Sequence, residues 1–430
     1  MKKILVATIL TIGAFLAVAQ KNQPTQAPLL EEWNDIDIFE QNKIYPRVNV
    51  VAYDNENDIE KNGWRNSAYY VPLAGKWACN ITKGISHRPD MEQKKLNLNS
   101  GGRALVPGDP WLLSNQPVSA PSIANVLDMP EKDNYIATYY REFTPDNSWK
   151  SYEAYLQLQA ASAYYIWINK QFVGYSEDSR ALSEFNITKH LNYGKVNSIA
   201  IQVIATSDGT LLEQNRSHSL LGITNEVAIV LKSHVNISDY TILTDIDPKT
   251  KTGEIKLTTS VANKARKGLY YLEVERWTPQ GKQLEKMAKW VAFDNRAEVD
   301  VTLQRDLANL QAWTADNPNL YTLVIRLRDN KMNLIETTGR RFGFRTVQLD
   351  RGQLLVNGTA VKLRGVAYGN YDPATATHPS LVKMRKDLSL MKRYNINAIL
   401  TTVYSPASQD FYDLCDELGF YVVCEANISP

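Results

Sequence analysis

The run Leu355-Val-Asn-Gly-Thr-Ala-Val-Lys-Leu-Arg-Gly-Val366, closed downstream by Phe420-Tyr-Val-Val-Cys-Glu-Ala-Asn-Ile428, decides how the last part of this 430-residue chain folds. Residues 361–366 read as a short apolar strand, 397–403 as a second and 421–424 as a third. Over 381–394, Leu381, Met384, Leu388 and Met391 recur three and four residues apart behind Pro379-Ser380, and over 411–418 Phe411, Leu414, Cys415 and Leu418 do the same before Gly419. Both patterns are those of amphipathic helices with start or stop signals. Apolar strands alternating with such helices predict a parallel sheet covered by helices, and the (β/α)8 TIM barrel is the commonest such arrangement. The expectation for 348–430 is therefore an incomplete TIM barrel, three strands of the eight.

Working outward, 44% hydrophobic and 22% charged residues describe an ordinary globular chain of roughly two to four domains. A net charge of +2, with no basic run interleaved with aromatics, excludes a nucleic-acid footprint. Lys2-Lys3, an apolar run from Ile4 to Leu16 and Ala17-Val18-Ala19 form a signal peptide over 1–19, so the expectation is a mature chain from Gln20, secreted and periplasmic. The run is shorter than the ~20 residues that span a bilayer, so no membrane anchor is expected. Cys79, Cys415 and Cys424 suggest neither a disulfide framework nor a thiolate metal site, and the five His show no ligand spacing.

After an N-terminal extension over 20–50, residues 51–235 carry short aromatic and β-branched runs such as Tyr164-Tyr-Ile-Trp-Ile168 and Ile199-Ala-Ile-Gln-Val-Ile204 between turn clusters. This predicts an antiparallel β-sandwich of jelly-roll, galactose-binding-like type. Residues 236–347 alternate in the same way, for example Lys256-Leu-Thr-Thr-Ser260 and Val299-Asp-Val-Thr-Leu303, at the size of an immunoglobulin-like β-sandwich. No flexible linker separates these domains, so they are expected to pack face to face.

The chain also resembles glycoside hydrolase family 2, and its β-galactosidases in particular. The resemblance lies in Asn357-Gly358, Leu363-Arg-Gly-Val366, Asn395-x-Asn397-Ala398, Leu414-Cys-Asp-Glu417 and Glu425-Ala-Asn-Ile428. It continues upstream in Leu73-Ala-Gly-Lys-Trp77, Gly174-Tyr175 to Ser183-Glu-Phe185, Ser207-Asp-Gly209 and Gly343-Phe-Arg345. What it implies is a glycosidase acting on galactosides or other β-glycosides. In a retaining enzyme of that kind two carboxylates stand about 5–5.5 Å apart, one as nucleophile and one as acid/base. The family places both on later barrel strands, so no catalytic residue is expected in this chain.

Position by position, supporting residues differ. Ala367 and Gly369 stand where the family has Asn and His, and Leu400 replaces an Arg that would orient the nucleophile by a charge-assisted hydrogen bond. Ser429 replaces a magnesium ligand, so no magnesium site is expected. Two positions match: Asp208, implied to reach the sugar site beside a monovalent cation, and Asn125 on a neighbouring loop. Asp208 is equally a turn residue before Gly209. Glu425 sits at the C-terminal end of a barrel strand, where such folds place their chemistry, but a lone acid there is read as structural or as support. Asp372 and His378 are read as a solvated loop.

Three readings follow: part of a β-galactosidase completed by a separate chain carrying the other barrel strands, a non-catalytic member that binds galactosides or a partner, and a truncated product. A homo-oligomer is a further expectation. With one barrel edge bare, residues from about 354 onward are expected to be loose, dimerised or aggregation-prone unless such a chain docks.

Overall fold

A computed structural model describes residues 31–430 apart from 62, 93–101, 111–130, 179–180, 214–221, 370–371, 373–378, 402–406 and 427–430. The first sandwich packs a seven-stranded sheet on a four-stranded one. The larger sheet runs, in spatial order, Glu40–Gln41, Gln171–Ser176, Tyr164–Ile168, Asn197–Ile204, Tyr135–Phe143, Gly75–Lys83 and Gly102–Val106. Opposite it lie Tyr70–Pro72, Ile223–Lys232, Glu153–Ala160 and Ser183–Asn186. Inward residues at every second position, among them Leu156, Leu158, Ile166, Ile199, Ile201 and Ile229, interdigitate around Trp77 and Phe185. Gly174 is required there, because a Cβ would lie 2.6 Å from the Phe185 ring. Part of the N-terminal extension joins this domain as well, its Glu40 and Gln41 pairing with Ser176 and Tyr175 at the sheet edge.

The second sandwich has three strands, Val235–Asp247, Thr252–Asn263 and Glu298–Leu307, facing four, Gln283–Asp294, Lys267–Trp277, Tyr321–Arg328 and Leu334–Phe342. Seven antiparallel strands in two sheets is the immunoglobulin-like count. The two sandwiches share an apolar seam in which Val51, Tyr53, Ile59 and Trp64 join Tyr70 and Val230 of the first to Trp277 and Val324 of the second.

The barrel segment opens differently from the reading of 361–366 as a strand. Asn357 and Gly358 both take left-handed backbone conformations, φ 53 and 73, which turn the chain back on itself. The result is a small antiparallel sheet of Val347–Asp350, Gln353–Val356 and Thr359–Ala360. Val361 N–H still bonds Leu354 O at 3.0 Å, so the hairpin consumes the start of that apolar run. The first parallel strand is Gly365–Tyr368, paired in register with Ala398–Thr401 and that with Tyr421–Cys424. Asn397 pins its entrance, accepting from Arg364 N–H at 2.7 Å and donating to Lys362 O at 3.0 Å.

Helix α1 is the short Asp208–Glu213, α2 is Leu381–Arg393 and α3 is Gln409–Leu418. Ser380 caps α2 by accepting from Lys383 N–H at 3.3 Å, and Gly419 closes α3 at φ 77. Met384, Leu388, Ile399, Phe411, Leu414 and Phe420 form a separate core for this segment. It is tied to the second sandwich by Trp313 Nε1–H donating to Asp416 O at 2.8 Å and by the ion pairs Arg340–Asp413 at 2.7 Å and Arg341–Glu417 at 3.0 Å. Gly419 lets the chains approach, since a Cβ there would lie 2.1 Å from Ala315 O. The sheet itself stays open: Gly365, Ala367, Val423 and Cys424 are exposed.

Candidate functional site

Asp208 stands where the strand Asn197–Ile204 leaves the large sheet of the first sandwich. Asn134 fixes that exit, donating through Nδ2 to Thr206 O at 2.7 Å and accepting from Thr206 N–H at 3.1 Å. Thr210 N–H then bonds Ser207 O at 3.1 Å, which curls the chain into α1. Asp208 is buried; its Oδ1 accepts from Gly209 N–H at 2.9 Å, while Oδ2 has no hydrogen-bond partner among the described residues. The turn role foreseen for it is present, and it leaves one carboxylate oxygen over.

Facing it is Glu177, which follows the strand Gln171–Ser176 and is itself buried. Tyr175 Oη–H donates to one Glu177 oxygen, and the Asp208 carboxyl is near enough to help raise Glu177. Gly209 makes this approach achievable, because a Cβ would fall 2.6 Å from Glu177 Oε2. Burial pushes the Glu177 carboxyl up to about 9, and the hydrogen bond and negative charge of Asp208 help raise it. Burial also raises Asp208. At neutral pH Glu177 therefore keeps its proton. Glu177, protonated at neutral pH, cannot act as the anionic nucleophile of a retaining pair. Of the pair, Asp208 Oδ2 is the oxygen left for a monovalent cation, and it is buried.

Sequence reading missed Glu177 although the residues on both sides of it carry the resemblance. The available signal was an acid directly after an otherwise apolar strand, set against a Gly that follows another acid. Asn125 lies outside the described residues, as do residues 1–19, His378 and Ser429. Glu425 is exposed, directly after the third parallel strand, at the C-terminal end of the sheet as its position in sequence implied. Leu400, half-buried, pairs with Ala367 and Val423 in the middle of the sheet, so no cation stands at that point. Among the described residues no group of three or more His, Cys, Asp or Glu is placed to hold a metal ion.

Three family models match the chain in order: glycosyl hydrolases family 2 sugar binding domain over 73–233, glycosyl hydrolases family 2 over 235–345, and the family 2 TIM barrel domain over 347–430. The chain belongs to glycosyl hydrolase family 2. Among its curated relatives, the β-galactosidase of Priestia megaterium is 30% identical over 423 residues, covering 92% of this chain and 40% of that one. The β-galactosidase of Staphylococcus xylosus is 33% identical over 298 residues, 69% of this chain and 28% of that one. The family 2 chain therefore spans well under half the length of these relatives. Among solved structures, a family 2 member from Bacteroides cellulosilyticus superposes with a TM-score of 0.69 at 18% identity, over 83% of this chain and 48% of that one. The Bacteroides uniformis β-glucuronidase superposes at 0.70 and 19%, over 82% and 41%. These two show the shared fold.

Proposed function

We propose that this chain supplies the sugar-facing sandwich, the immunoglobulin-like domain and the first three barrel strands of a β-galactosidase, and that hydrolysis requires the remaining barrel, in the same or another polypeptide. The observation that carries this reading is the match of 92% of the chain to a β-galactosidase of which it spans 40%. In the assembled site Asp208 accepts a hydrogen bond from a substrate hydroxyl. The nucleophile and the acid/base come from the remaining strands.

The test is hydrolysis of an aryl β-galactoside. The chain alone is expected to show none, because Glu177 and Asp208 cannot act as the two carboxylates. Activity should appear when a polypeptide bearing the remaining strands is supplied. Turnover by the purified chain that survives rigorous removal of host β-galactosidase would overturn the proposal. In the same preparation Asp208→Ala should weaken galactose binding roughly tenfold, since a hydrogen bond to a charged acceptor contributes about 1.5–3 kcal/mol.

A further inference from the structure

We propose that one face of the small antiparallel sheet Val347–Asp350, Gln353–Val356 and Thr359–Ala360 is a docking surface for the remaining barrel strands, which it meets at their N-terminal ends. The proposal rests on the reading above that such strands are supplied, and it names where they are held. In this sheet Val347 pairs with Val356, and Leu349 with Leu354. Side chains directly opposite each other, and those at alternate positions along a strand, share a face, so these four aliphatics stand together. The other face takes Gln348, Asp350 and Gln353, with Leu355 and Ala360. Val356 is buried, but Leu349 is 78% exposed and Val347 53%. A sheet this small needs packing on its apolar face to be stable, and exposed aliphatics gathered on one face mark an interaction site.

Position selects the partner. Val361 N–H bonds Leu354 O at 3.0 Å, and Asn397 bonds both Arg364 N–H and Lys362 O, which ties the small sheet to the place where Gly365–Tyr368 and Ala398–Thr401 begin. It therefore stands at the N-terminal end of the parallel sheet, opposite the end where barrels carry their chemistry and where Glu425 lies. A second apolar surface adjoins it. Tyr368, Ile399 and Val422 pack with α2 and α3, so their neighbours Ala367, Leu400 and Val423 point away from the helices. These three form one row across the sheet, with Ala367 and Val423 exposed and Leu400 half-buried. In a closed barrel that row lies inside. Four aliphatics fall well short of the roughly 20–30 residues a side in a stable dimer, so the face is one part of a larger contact. Strands added beside Gly365–Tyr368 and Tyr421–Cys424 would cover the inner row and bring their N-terminal ends over the small sheet. One partner thus covers both surfaces.

The test is calorimetry between the intact chain and a polypeptide that carries the remaining strands. Leu349→Lys is expected to weaken binding roughly ten- to hundredfold, the factor that burying one Leu contributes. Gln348→Lys, on the polar face of the same strand, should leave it unchanged. Both positions are exposed, so neither substitution should shift the thermal melt of the chain alone; if Leu349→Lys fails to fold, Val347→Lys carries the same expectation. Binding indifferent to substitution at both Leu349 and Val347 would overturn the proposal and leave the complementation reading standing, whereas no binding by the wild-type chain would overturn both. Self-association of the chain alone that Leu349→Lys abolishes, read by sedimentation velocity, would also overturn it by assigning the face to a second copy.

Discussion

Replacing Phe411 by alanine should open the barrel segment while leaving both sandwiches closed. Phe411 is fully buried, stacks on Tyr368 at 5.8 Å with an interplanar angle of 11°, and packs edge-on to Tyr412 at 5.6 Å. It sits centrally among Met384, Leu388, Ile399, Leu414 and Phe420, the core that holds α2 and α3 on the three strands. Truncating a buried Phe costs about 3–5 kcal/mol, and at roughly 1.4 kcal/mol per decade this raises the open population a hundred- to several-thousand-fold. The loss falls on a local unit, because the sandwiches have cores of their own and meet the segment through polar contacts such as Arg340–Asp413. Hydrogen–deuterium exchange with peptide resolution reads the effect. Amides in Gly365–Tyr368 and Ala398–Thr401 should lose protection by that factor, and those in Asn197–Ile204 should not change. Equal acceleration in both regions would refute the local-unit argument. Unprotected strands in the wild-type chain would show that the segment has no closed state to lose.

Two further outcomes are expected. Glu177, with its carboxyl raised to about 9 in the fold against 4.5 when free, stays protonated while the unfolded chain loses its proton, so its contribution is full below pH 4.5 and is lost as pH rises toward 9. Glu177→Gln should therefore gain stability relative to the wild-type chain between pH 5 and pH 9, measured by thermal melts across that range; an equal difference at both ends would contradict the assignment. Arg326 is buried among Glu275 at 2.8 Å, Glu273 at 3.0 Å and Glu56 at 2.5 Å, so Arg326→Met leaves three acids facing one another and should cost about 3–5 kcal/mol in urea unfolding. A loss below about 1 kcal/mol would show that solvent already screens the group.

The sequence by itself determined the local choices. Period-two runs specified strands, three- and four-residue spacing specified α2 and α3, and Gly419 ended α3, because each depends on neighbours within a few residues. The third parallel strand coincides with its apolar run. What escaped was anything set by partners distant in sequence. The run 361–366 carried a strand's composition, but Asn357-Gly358 folded its first residue back onto Leu354, and Asn397 held the next residues at the mouth of the first parallel strand. The same limit applies at the site. Asp208 was legible from Ser207-Asp-Gly209, whereas Glu177 became part of it only when the large sheet carried two strand ends, some thirty residues apart in sequence, to the same side. A cavity beside Ser408 exists because the sandwich and the barrel segment meet there. Neither wall alone encloses it, so the residues that line it, from Arg47 to Tyr412, form no pattern along the chain.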